Sequence, residues 1–198
     1  MCAADKCAGY RGENGIMCNE IIVKYCSPTL ANIKTGSLFT MPICDCENCM
    51  DMVRAINRKL VPKGLRFLVL KKTESSVLFY MYRPQLLKKD LFDQEALSIL
   101  NEAGYVTSSS DLCVIHLMKR LRESEGFPHE IGLFLGYPPE DVRGFITNGG
   151  KNCKCVGTWK VYGDTSKALE LFCRYKKCTA MYCRYYRRGL SIESLAVA

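Results

Sequence analysis

Thirteen cysteines and two histidines stand out in a chain of 198 residues, because thiols and imidazoles are the side chains that attack, bind metal or move protons near neutral pH. Cys26 precedes Ser27-Pro28-Thr29, a pattern in which Ser27 caps a helix and Pro28 takes its first position. A thiol at a helix start feels partial positive charge, which lowers its pKa and makes it a nucleophile. His129, within Phe127-Pro128-His129-Glu130, could serve as its base, with Glu130 or Asp164 orienting the imidazole and Thr29 beside the sulfur. The expected catalytic set is therefore Cys26, Thr29, His129 and Glu130. The alternative keeps the same residues as helix caps, with Cys26 a small core side chain and His129 bonded to a carbonyl. His116, between Ile115 and Leu117 in an amphipathic stretch, is expected at a surface or boundary position.

Two further groupings offer other chemistry. Cys44-Asp45-Cys46-Glu47-Asn48-Cys49 places three soft ligands in six residues, a partial zinc or iron–sulfur set that Cys153 and Cys155 could extend. Its bland counterpart is an exposed cysteine-rich loop. Cys173, Cys178 and Cys183 recur every five residues, which spreads them around a helix rather than gathering them on one face. The second grouping is cationic: from Lys151 onward there are ten Lys or Arg against three Asp or Glu, so this segment holds +7 of the net +8. Arg174, Lys176, Lys177, Arg184, Arg187 and Arg188 interleave there with Tyr175, Tyr182, Tyr185 and Tyr186. That mixture suits phosphate contact with base stacking, although cations near a helix C-terminus are also expected from its dipole. Gly132, Gly136 and Gly144 lack the strand and spacing of a phosphate loop.

Composition narrows these choices. A hydrophobic content of 48% with 24% charged residues supports a packed core, and 198 residues suit one domain. No apolar run approaches the roughly 20 residues of a membrane-spanning helix. The start, Met1-Cys2-Ala3-Ala4-Asp5-Lys6, lacks the pattern of a secretory leader, so a cytoplasmic location with reduced thiols is expected. Such a thiol load suits a cell living with little oxygen.

The elements that must position these groups follow from periodicity. Residues 1–15, with Gly9, Gly12 and Gly15, read as a flexible arm, and residues 16–198 as a single domain. A short helix is expected over Ile16–Tyr25, a second from Pro28 towards Gly36, an extended segment over Leu38–Ile43 and a helix over Asn48–Leu60. Arg66–Lys72 and Ser76–Arg83 read as a hairpin closed by Thr73-Glu74-Ser75 and ended by Pro84. Gln94–Ala103 and Asp111–Arg122 are amphipathic helices, the second presenting Leu112, Ile115, Leu117 and Leu121. Pro128 and Pro139 open helices reaching Leu135 and Ile146. Thr158–Tyr162 alternates as a strand, and Asp164 caps a long helix over Thr165–Tyr186 whose apolar face holds Ala168, Phe172, Tyr175 and Tyr182. The fold class is α+β, a small mainly antiparallel sheet with helices packed around it.

FPHEIGLFLGYPPEDVRGFI (127–146) and YCSPTLANIKTGSLF (25–39) resemble the signature blocks of a domain-of-unknown-function family found in clostridia and related anaerobic Firmicutes. GTWKVYGD (157–164), VLFYMYRP (77–84) and the GLSIESLAVA tail fit the same family, so the resemblance runs from about residue 20 to the end. Relatives often carry His before the cysteine and Ala-Gly where Tyr25 and Ala31-Asn32 stand here, and the cysteines at 44–49 lie outside the pattern. The resemblance implies no activity, cofactor or substrate. The expected function is a thiol-dependent site where the CSPT and FPHE blocks meet, acting on a small molecule or acidic partner. The alternatives are a metal- or redox-linked binding protein and a nucleic-acid binder using the basic helix.

Overall fold

Alternation of apolar side chains in three short strands lets one small sheet bury both of its faces. The computed structural model describes residues 14–43, 49–123 and 126–198. The expected arm, except its last two residues, and Cys44 and Cys46 lie outside the described residues. Strands β1 (Gly36–Pro42), β2 (Arg66–Lys72) and β3 (Ser76–Tyr82) form an antiparallel sheet in the order β1-β3-β2. β3 is central and buried along almost its whole length. Its register pairs Phe79 with Phe39 on one side and with Val69 on the other.

One face of the sheet presents Phe39, Met41, Phe67, Val77, Phe79 and Met81 to the helices α1 (Asn14–Leu30), α2 (Cys49–Leu60), α8 (Thr165–Arg187) and α9 (Ile192–Leu195). Phe39, Phe67 and Phe79 stack here, with the centroids of Phe67 and Phe79 5.2 Å apart. The opposite face presents Leu70, Leu78, Tyr80 and Tyr82 to α3 (Pro84–Leu91), α4 (Gln94–Glu102), α5 (Ser110–Glu123), α6 (Ile131–Phe134) and α7 (Pro139–Thr147). A separate hairpin, β4 (Cys155–Val156) and β5 (Lys160–Val161), covers α8 with Trp159 and Val161 over Ala168 and Tyr175. The result is α+β, a three-stranded sheet enclosed by helices on both sides.

Several local expectations hold: the hairpin 66–82, the helices at 49–60 and 94–102, and Asp164 capping α8 through the Lys167 amide at 3.1 Å. Others are corrected by packing. Ser27 does not cap a new helix, because α1 continues through Pro28 to Leu30. Its hydroxyl instead donates back to the Val23 carbonyl. Burial of Ile22, Val23, Cys26 and Leu30, all fully buried, outweighs the amide bond lost at Pro28. α1 ends where Asn32 adopts a left-handed conformation, φ 59°, which Asn tolerates. Arg83 secures that end: its guanidinium donates to the carbonyls of Thr29 at 2.7 Å, Leu30 at 2.8 Å and Val197 at 2.7 Å, joining the helix to the C-terminal tail.

On α5 the buried stripe is Cys113, Val114, Leu117 and Leu121, whereas Leu112 and Ile115 are exposed. Pro84 ends β3 but also opens α3, since a proline at the first helical position gives up no hydrogen bond. The helix expected from Pro128 shrinks to the single turn of α6.

Candidate functional site

The thiol expected to react sits inside a helix, about one turn before its C-terminal end. Cys26 is fully buried among Ile22, Val23, Leu30 and Met41. No helix start lies beside it, and burial pushes its pKa far up rather than down. Lys34, also buried, pulls weakly the other way. Thr29, likewise buried, bonds its hydroxyl to Ser37 at 2.9 Å. The CSPT block therefore builds the end of α1 and its seat on β1.

His129 and Glu130 are neighbours in sequence but face different surroundings. Glu130 is buried at 4% exposure, accepts from the Tyr105 hydroxyl at 3.0 Å, and lies 3.0 Å from Nε of Arg120. That Nε–H is not aligned to donate, so the contact is Coulombic, while the Arg120 fork donates to the Ala103 carbonyl at 2.7 Å. Glu130 thus ties the 127–131 segment to α5. His129 is exposed and sets its ring edge-on to Phe145, centroids 5.0 Å apart. His116, half-buried, stacks on Tyr105.

His129 opens onto a cleft of about 500 Å³ between the α6–α7 segment and the β4–β5 hairpin, with Leu38 of β1 also in its lining. Its aromatic walls are Phe127, Tyr137, Phe145 and Trp159. Tyr137 stacks on Trp159 at 4.7 Å, and Trp159 meets Phe172 edge-on at 4.5 Å. Phe127 and Val156 are 56% and 69% exposed, leaving apolar surface at the mouth. Lys160 brings a second nitrogen: its Nζ donates to the Gly150 carbonyl at 2.6 Å and lies 5.7 Å from the Phe145 centroid. His129 and Lys160 therefore both approach the Phe145 ring.

A single carboxylate holds this arrangement. Asp141, 3% exposed, accepts from Trp159 Nε1 at 2.7 Å and from the amides of Tyr162 at 2.6 Å and Gly163 at 2.8 Å. It fixes both the indole and the return of the hairpin to α7. Two glycines are required by close approach. A Cβ on Gly144 would lie 2.4 Å from the Tyr162 ring, and one on Gly136, where φ is +73°, would meet the Thr35 hydroxyl at 2.8 Å.

The two segments that meet at the cleft are FPHE…GYPPEDVRGF and GTWKV, whereas CSPT lies behind them. Sequence reasoning missed Asp141, Phe145, Trp159 and Lys160 as one group. The signal available was the sole tryptophan of the chain inside a distinctive short block. Among the described residues no group of three or more His, Cys, Asp or Glu is placed to hold a metal ion. Of the expected cysteine set only Cys49 is described, and it is buried in the core.

Residues 22–196 match the model of a family described as a protein of unknown function, DUF3793, and the chain belongs to that family. No curated protein and no solved structure matches it. No helix among the described residues is long and apolar enough to cross a membrane.

Proposed function

We propose that this DUF3793 protein binds a small, planar, largely apolar molecule carrying an anionic group in the cleft between α7 and the β4–β5 hairpin. The observation that carries the reading is the pairing of aromatic walls with His129 and Lys160, both set against the Phe145 ring in the lining of the cleft. Aromatic faces supply apolar contact area, and a few placed polar groups set orientation. The volume, about 500 Å³, lies within the range of small-molecule sites. The one carboxylate in the lining, Asp141, is occupied by three donors, so its oxygens are turned to the protein.

A thiol-dependent reaction at Cys26 has little to support it beside this, because the sulfur is sealed in hydrocarbon and held in its neutral form.

Trp159 is both a wall of the cleft and the only tryptophan, so its emission reports occupancy directly. Titration with anilinonaphthalene sulfonate should quench it, and the uncharged phenylnaphthylamine should bind more weakly. Lys160→Met should weaken sulfonate binding roughly fivefold while leaving the uncharged probe unchanged, since a partly exposed charge contributes about 1 kcal/mol. Equal affinity for both probes, or no quenching, would remove the proposal.

A further inference from the structure

We infer that the exposed face of α8 is a docking surface for the phosphate backbone of duplex nucleic acid, engaged without regard to base sequence. From Leu171 to Arg188 the chain contains no Asp or Glu, and Arg174, Lys176, Lys177, Arg184, Arg187 and Arg188 are all exposed. None of the six forms an ion pair among the described residues. At 100° per residue they spread over an arc of about 160°, away from the buried stripe of Ala168, Tyr175, Cys178 and Tyr182, and along about 21 Å of helix.

The helix dipole accounts for part of this. Arg184 and Arg187 lie in the last turn, where a cation is favoured. Arg174, Lys176 and Lys177 stand roughly three turns earlier, beyond the reach of that effect. Six neighbouring like charges repel one another, and an extended polyanion relieves the repulsion along the whole array. A duplex carries one charge per roughly 1.7 Å of axis and releases counterions when cations replace them.

The surroundings select among polyanions. Single strands are held on aromatic platforms, but Tyr175 and Tyr182 are buried, and Tyr185 and Tyr186 pack against the core beneath the helix. The interleaved tyrosines are thus the inward side of α8. Helices that settle into a membrane surface present an apolar face to it. Between Arg174 and Arg188, Met181 alone is an exposed large hydrophobic residue. Charge without stacking or insertion groups fits a backbone and offers no base readout.

The test is fluorescence anisotropy with two labelled DNA duplexes of about 20 base pairs and unrelated sequence. If about five phosphates are contacted, affinity for both should fall roughly 500-fold between 50 and 200 mM salt. The combined variant Arg184→Gln, Arg187→Gln and Arg188→Gln should reduce that fall to roughly tenfold. A control with Lys59→Gln, Lys72→Gln and Lys88→Gln, exposed residues on other elements, loses the same charge and should retain the steep dependence. Thermal unfolding equal to that of the unaltered chain confirms that each variant is folded. The inference is overturned by absent duplex binding at 50 mM salt or by equal losses in the two variants. Tighter binding to a single strand, to phosphatidylglycerol vesicles or to polyglutamate at matched charge also overturns it. It is independent of the cleft, whose titration is read at Trp159.

Discussion

Replacing Lys34 with methionine should stabilise the protein at neutral pH. Lys34 is 8% exposed, donates from Nζ to the Gly36 carbonyl and lies 5.4 Å from the Tyr137 centroid, with no carboxylate paired to it among the described residues. Burial lowers its ammonium pKa from 10.5 to about 8. A shift of that size corresponds to about 3 kcal/mol favouring loss of the proton. Methionine retains the apolar stem and removes the penalty, but leaves one carbonyl without its donor, about 1 kcal/mol. The expected net gain is about 2 kcal/mol at pH 7.

The sign follows from proton counting. Between pH 8 and 10.5 the unfolded chain keeps the Lys34 proton that the folded chain has released, so this residue makes stability rise with pH across that window. The full penalty is present below pH 8 and is gone above 10.5. The advantage of Lys34→Met should therefore be greatest at pH 7, shrink from pH 8 upward and vanish near pH 10. The Cys26 thiol, raised by burial in both chains, opposes this trend above pH 9, and loss of the Lys34 charge that lowers it only adds to that opposition in the variant. Urea unfolding followed by Trp159 emission at pH 7, 8, 9 and 10 measures the difference. A variant less stable than the parent at pH 7, or a difference that stays flat with pH, would refute the reasoning.

Asp141→Ala should destabilise by about 3 to 5 kcal/mol, because it strands the Trp159 indole N–H and two backbone amides; urea midpoints and a red shift of Trp159 emission measure this. Arg83→Met should cost about 3 kcal/mol and free the tail, seen as faster hydrogen exchange at the Val197 amide, now bonded to the Leu30 carbonyl at 3.0 Å. In native protein, alkylation read by mass spectrometry should reach exposed Cys173 and spare Cys26 until denaturant is added. Early labelling of Cys26 would reverse the assignment of that sulfur to the core.

What local sequence carries is what bonds over short distances. The 66–82 hairpin, the span of α2 and the Asp164 cap each depend on groups within about twenty residues, so alternation, helical period and a capping carboxylate sufficed to place them. Membership of a family of unknown function was also expected from the sequence, and the family match over residues 22–196 bears that out. Ser27-Pro28 shows where that reasoning fails. The pair carries a strong helix-start signal, yet burial of Ile22, Val23, Cys26 and Leu30 keeps one helix running through it.

The candidate site lay beyond local signals for the same reason. FPHE and CSPT look alike as polar helix openings, and only the stacking of layers decides that His129 faces a cleft while Cys26 faces hydrocarbon. Asp141 became a keystone because the chain returns twenty-one residues later to offer it Tyr162 and Gly163 amides and, on the way, an indole. Residue types and their local order specified the elements and their apolar faces. Which thiol, amine or carboxylate left water was decided by tertiary packing, since burial depends on everything that covers a group and not on its neighbours in the chain.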